Sequence, residues 1–275
     1  MDVEKLYLEV TRMCNLECEH CLRGNRENSY MSDETIINAL KNIKRIKKIL
    51  ITGGEPLLAL RQIRTIIQMI KDNNIKVDEI ILITNSTILN KDVLSTLKEL
   101  FLISNFKLYL SYDIFHYLEL KRLNLLEQRN ETAKVLKELF QAEDYSDFKS
   151  DVKYEVVLIP KGKALTLSQE RLEEINQLSR QKYSLSKIRH DAVSQFNIEY
   201  QNPEEQVFGT IYIDVNGNIV SSGQSFAEND LEKENYNSNI NELGFIQALI
   251  NFTEYYKEKS LQKNREYVPG FRLKR

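Results

Sequence analysis

Cysteine, proline and glycine are all scarce in these 275 residues, at three, four and nine, and neither sign of charge prevails, with 38 Lys and Arg against 40 Asp and Glu. A net charge of −2 argues against nucleic acid or an anionic membrane as the main partner, because both attract a strong basic excess. No apolar run approaches the roughly 18 residues that span a bilayer, so no membrane partner is expected. Few glycines and prolines leave no obvious flexible linker. The N-terminus, Met1-Asp2-Val3-Glu4-Lys5, is acidic and leads straight into a strand, unlike a signal peptide. Three clustered cysteines and no export signal predict a reducing, cytoplasmic setting.

What is present is a strand–helix alternation. Ile49–Thr52, Ile80–Thr84, Leu108–Ser111 and Tyr154–Ile159 are short and mostly apolar on both faces, the pattern of parallel strands covered by helices. Ser32 is placed to cap a helix carrying Ile36, Leu40 and Ile43, and the basic cluster Lys41, Lys44, Arg45, Lys47 and Lys48 reads as that helix's solvated end. Leu60, Ile63, Ile67 and Ile70 stripe a second helix. Asn90 opens a third with Val93, Leu97, Leu100 and Phe101 inward. Val135, Leu136, Leu139 and Phe140 mark a fourth, and Ser168 opens a fifth. Lys161-Gly162-Lys163 reads as a turn. Repeated βα units predict an α/β fold, an open (β/α)6 partial TIM-type barrel over residues 1–200. Residues 201–275 read as a small α+β capping appendage, with a hairpin at Asn216-Gly217 and a last helix near Phe245–Tyr256.

The chemistry concentrates in Cys14-Asn15-Leu16-Glu17-Cys18-Glu19-His20-Cys21, directly after the alternating run Leu6–Thr11. Three thiolates on one loop suit a metal or an iron–sulfur cluster and leave its fourth position open. Cys14, Cys18, His20 and Cys21 also make a Cys3His zinc set, although adjacent His20 and Cys21 strain simultaneous ligation. Thr52-Gly53-Gly54-Glu55-Pro56 follows the second strand, where adjacent glycines let backbone approach a ligand. Glu55 also reads as an ordinary helix N-terminal acid, and Ser111 and Asp113 as strand-end polar groups. His116 fits either a substrate-facing role or packing at the barrel rim.

With these motifs on residues 5–200, the chain resembles the radical S-adenosylmethionine (radical SAM) enzymes. The resemblance implies that Cys14, Cys18 and Cys21 ligate three irons of one [4Fe–4S] cluster, whose fourth iron is chelated by S-adenosylmethionine. It implies that Gly53, Gly54 and Glu55 bind the methionine amino group, and that Asn85, Ser111 and Asp113 face its ribose or methionine portion. His20 stands where the family usually has an aromatic residue near the adenine. Ser86 stands where the third strand often ends in glycine. Ile211–Ser222 is similar to the opening of the SPASM/twitch-type extension of peptide-modifying members, but lacks its cysteine near Ser221 or Ser222, so auxiliary clusters are excluded by count. The implied activity is reductive cleavage of S-adenosylmethionine followed by hydrogen abstraction from a peptide or small-molecule substrate, with an electron donor such as flavodoxin or ferredoxin. A first strand starting near residue 5 leads to the expectation of no leader-binding domain fused upstream.

Overall fold

The computed structural model describes residues 1–145, 155–158, 162–179, 181–185, 207–220 and 237–266. Its elements run β1 (Asp2–Thr11), α1 (Asp33–Leu40), β2 (Arg45–Gly53), α2 (Leu60–Asp72), β3 (Lys76–Thr84), α3 (Lys91–Ile103), β4 (Asn105–Leu110), α4 (Ile114–Arg122), α5 (Leu126–Phe140), β5 (Glu143–Asp144), β6 (Glu155–Leu158), α6 (Gln169–Leu178), β7 (Lys182–Leu185), β8 (Val207–Ile213), β9 (Ile219–Val220), α7 (Ile240–Leu243) and α8 (Phe245–Glu266). Seven strands form one sheet in the order β5-β4-β3-β2-β1-β8-β9, parallel except for β8–β9, and β6–β7 form a second parallel pair. The architecture is the expected α/β partial barrel of TIM type.

Local chemistry sets the helix starts. Ser32, Asn90 and Ser168 accept hydrogen bonds from the backbone N–H groups of Thr35, Val93 and Arg171, each satisfying an N–H that a helix start leaves without an intrahelical partner. Leu6, Leu8, Ile49, Ile51, Ile80 and Leu82 are fully buried in one apolar cluster with residues of α1, α2 and α3, each contributing about 1.5–3 kcal/mol of apolar burial. A second apolar cluster packs Leu16 and Cys18 of the cysteine loop against Phe115, Leu120, Leu158, Leu172 and Tyr183.

Several expectations are corrected. Helix α1 ends at Leu40, and Arg45, Lys47 and Lys48 lie in β2 rather than at a helix end. Ile46 and Ile49 are buried with Lys47 and Lys48 between them, and Arg45, Lys47 and Lys48 pair with Asp78, Glu4 and Glu79 on neighbouring strands. Phe101, expected inward, is exposed on α3, and Leu139, one of the residues that mark the fourth expected helix, is exposed on α5. The hairpin forms at Asn216-Gly217, with Gly217 at φ 90°, but its first strand, β8, pairs in parallel with β1 and extends the core sheet. Ser221 and Ser222 lie outside the described residues. No helix among the described residues is long and apolar enough to cross a membrane.

Candidate active site

Beyond β1 the chain turns into the cysteine loop, and the neighbouring strand ends hold that loop by its backbone. Thr11 Oγ1 donates to the Ser29 carbonyl (2.7 Å) and accepts from the Met13 N–H (2.9 Å). From β2, Gly54 N–H donates to the Thr11 carbonyl (2.7 Å) and Glu55 N–H to the Met13 carbonyl (2.9 Å). A Cβ on Gly53 would overlap the Thr11 carbonyl, and one on Gly54 the Met13 carbonyl. The paired glycines are therefore required by the approach of β2's end to the cysteine loop. Gly162 does the same from the other side. At φ 57° it packs where a Cβ would overlap the Cys21 and Leu22 carbonyls, while Lys163 N–H donates to Cys21 (2.9 Å). This stretch is a clamp on the loop as well as a turn. Lys161 lies outside the described residues.

Side chains complete the hold. Glu119 on α4 accepts from the Glu17 N–H (3.0 Å), and Arg171 on α6 grips Glu19 through two 2.8 Å bonds. Arg23 bonds Thr52 Oγ1 (3.0 Å) and pairs with Glu9 of β1 (3.1 Å), whose other oxygen accepts from the Val215 N–H (3.2 Å).

Glu55 is buried and faces β3. One oxygen accepts from Leu57 N–H (2.9 Å) and Thr84 Oγ1 (2.7 Å), the other from Asn85 N–H (2.7 Å). Burial raises its pKa against those lowering contacts. Its carboxylate ties the ends of β2 and β3 together. Asn85 in turn donates to Asn15 of the cysteine loop (2.9 Å) and accepts from Thr87 Oγ1 (2.6 Å). Ser86 is fully buried at φ 55°, which explains why glycine suits this position, and its hydroxyl has no hydrogen-bond partner.

Asp113 is the N-cap of α4, a helix that sequence periodicity missed. Its carboxylate lies between two imidazoles, 2.9 Å from His20 Nε2 and 2.8 Å from His116 Nδ1. Burial alone would raise its pKa, yet the two histidines hold it well below the ordinary range. Burial would lower the His116 pKa, and Asp113 raises it instead. The His20 ring stacks on Phe115 with centroids 4.4 Å apart.

A cavity of about 550 Å³ gathers most of the expected residues: Cys14, Cys18, Cys21, His20, Gly53, Gly54, Asn85 and Ser111 line it. Glu55 and Asp113 do not; they stand behind the lining and orient what does. Tyr7, Leu50, Ile83, Tyr145 and Tyr212 also line the cavity, together with Arg23, His116, Leu16, Leu22, Thr52 and Thr84. Sequence reading missed Gly162, Arg23 and the tyrosines. An acid, Glu9, within the apolar run of β1 was the one available signal of a buried ion pair.

The donor set fits an iron–sulfur cluster. Among the described residues, Cys14, Cys18 and Cys21 all line this one cavity, and the ligand atoms of His20, Asp113 and His116 lie within 4.8 Å of one another beside them. Three soft thiol donors on one loop suit the irons of a cluster and leave one position for a further ligand. Burial, then the Glu55 charge, pushes the Cys14 thiol up to about 12, and burial followed by Asp113 raises Cys18 as well. Both thiols therefore need a bound cation to become thiolates.

Comparison with known proteins bears on the family and the fold. The chain is 38% identical over 103 residues to an uncharacterised protein of Methanocaldococcus jannaschii, 36% of each chain. It is 38% identical over 93 residues to a probable GTP 3′,8-cyclase of the same organism, 32% of this chain and 30% of that protein. It thus spans about a third of the length of these curated relatives. Its fold is similar to Streptococcus suis SuiB bound to the precursor peptide SuiA, with a TM-score of 0.52 and 15% identity over 89% of this chain and 64% of that one. The model of the radical SAM superfamily, whose members use a [4Fe–4S] cluster and S-adenosylmethionine, matches residues 8–163, and the chain belongs to that superfamily.

Proposed function

We propose that the chain is an enzyme that uses one [4Fe–4S] cluster to cleave S-adenosylmethionine reductively and to remove hydrogen from a peptide or protein substrate. Three sulfurs and the Gly53-Gly54 backbone around one cavity carry this reading. Cys14, Cys18 and Cys21 would hold three irons, leaving one for the methionine end of S-adenosylmethionine. When bound, the pair supplies the one-electron chemistry; the protein supplies placement and exclusion of water. Carbonyl oxygens of the Gly53-Gly54 segment would accept from the methionine ammonium, and Asn85 and Ser111 would bond its polar groups. His20 offers a flat ring beside the cysteines. Glu55 and Asp113 are positioning residues, the first joining two strand ends and the second orienting His20 and His116. Residues 1–200 would hold the cofactors, while the part from 201 onward reaches the cavity through Tyr212 and would shape its substrate side. A small electron carrier of flavodoxin or ferredoxin type in the cytoplasm would supply the electron.

The likeness to a fold known with a bound precursor peptide supports the peptide reading. The relatives named as GTP cyclases support a small-molecule alternative. Anaerobic reconstitution should give a brown protein with about four irons per chain that forms 5′-deoxyadenosine on reduction. Stoichiometric zinc without iron would overturn the proposal.

A further inference from the structure

We infer that the wall formed by Tyr7, Leu50, Ile83 and Tyr212 is a specificity compartment for an uncharged, apolar amino-acid side chain of the substrate. This rests on the function proposed above and narrows its substrate class. The four residues make one continuous surface on four adjacent strands. Tyr7 of β1 is in register with Tyr212 of β8 on one side and Leu50 of β2 on the other, and Ile83 lies on β3 two residues beyond Leu50's partner Ile81. All four line the cavity that holds the cysteines. The two tyrosine rings stack, with centroids 4.4 Å apart and planes at 26°, so their position is fixed before a ligand arrives.

Charge separates this wall from one suited to a polyanion. Among the described residues lining the cavity, the basic side chains are Arg23, His20 and His116. Arg23 is engaged by Glu9 and Thr52, and both histidines flank Asp113. A phosphorylated substrate would bring charges that no uncommitted group here is placed to meet, whereas an apolar side chain would displace water from rings and branched carbons. Burial pushes the Tyr212 hydroxyl up to about 12, with lesser contributions from Tyr7, which includes a hydrogen bond between the two side chains. The Tyr212 phenol is thus neutral, and a phenol, being both donor and acceptor, is chemically suited to meet a peptide amide.

The test uses anaerobic, iron-loaded protein with S-adenosylmethionine and no reductant. Ligand binding is read by saturation-transfer NMR with N-acetyl-leucinamide, N-acetyl-phenylalaninamide, the amide of N-acetyl-glutamic acid and GTP. The two apolar amides should respond at least about five-fold more strongly than the glutamyl amide or GTP, a difference of roughly 1 kcal/mol. Tyr212→Ser should remove most of that preference and Tyr212→Phe should restore at least half of it. Tyr145→Ser, at a residue 62% exposed on the cavity rim and so safe for folding, should weaken it about two-fold. Equal or stronger binding of GTP or the glutamyl amide, or a preference untouched by both serine variants, overturns the inference. Iron content and S-adenosylmethionine binding are measured on the same samples. If both are normal, failure of the preference overturns this inference alone; if both are absent, the underlying function falls with it.

Discussion

The cavity wall that carries Cys14, Cys18 and Cys21 is assembled from main-chain bonds and buried polar groups, whereas the wall of Tyr7, Leu50, Ile83 and Tyr212 is assembled from rings and branched side chains on regular strands. On the first, Gly53, Gly54 and Gly162 pack so closely on the cysteine loop that a single carbon atom would not fit. On the second, each residue occupies an ordinary strand position that accepts many apolar types. The difference teaches where variation is allowed. A wall that orients a metal cluster is intolerant because its dimensions are set by backbone contacts, and a wall that selects a substrate can change one side chain at a time.

Four changes break or sharpen this contrast. Cys18→Ala should have the largest effect, reducing bound iron to less than about a tenth of the parent's after reconstitution, read by iron analysis and the visible absorption band. Next comes Asp113→Asn, which keeps an oxygen to cap α4 but removes the buried charge facing both histidines, at an expected cost of about 3 kcal/mol in denaturant unfolding. Its pH dependence has a definite sign. The Asp113 pKa is depressed in the fold, so its contribution is present above the ordinary value of 3.8 and lost as pH falls below it. The His116 pKa is raised, so its contribution is full below the ordinary 6.5 and lost as pH rises through the higher folded value. The gap between parent and variant should therefore be widest between pH 3.8 and 6.5.

Third, Gly54→Val should cost about 1–3 kcal/mol by overpacking against Met13 and should lower iron loading as well as S-adenosylmethionine binding. Normal iron with lost cofactor binding would show that Gly54 serves the ligand rather than the loop. The smallest effect is stabilising. Ser86→Gly removes a left-handed serine and a buried hydroxyl without a partner, and should raise stability by about 0.5–1 kcal/mol, measured as a higher melting temperature.

Much of this was legible in the sequence where local chemistry decides. Ser32, Asn90 and Ser168 cap helices because short polar side chains reach the first N–H groups, and the cysteine spacing with Gly53-Gly54 picked out residues that line one cavity. What stayed hidden depends on distant partners. Asp113 was expected to face a ligand because a strand-end carboxylate looks the same whether it meets a ribose or two histidines. The parallel pairing of β8 with β1 joins residues about 200 apart, and no local pattern specifies it. Arg45–Lys48 reads as a helix end because its charges are adjacent; what makes it strand is their pairing with Asp78, Glu4 and Glu79 on the two neighbouring strands, which no local pattern shows.

The hold on the cysteine loop also has a consequence for how the protein is made. The loop is synthesised first, yet its grips arrive late: Glu119 meets Glu17 across 102 residues of sequence, Arg171 meets Glu19 across 152, and Val215 meets Glu9 across 206. A ribosome adding about 5–20 residues per second therefore leaves three thiols on a loosely held loop for roughly ten to forty seconds before the last grip exists. During that interval the thiols are exposed to oxidation and to stray soft metals, so iron delivery belongs after the chain has closed on itself, and early capture of zinc is a hazard of synthesis rather than a property of the finished site.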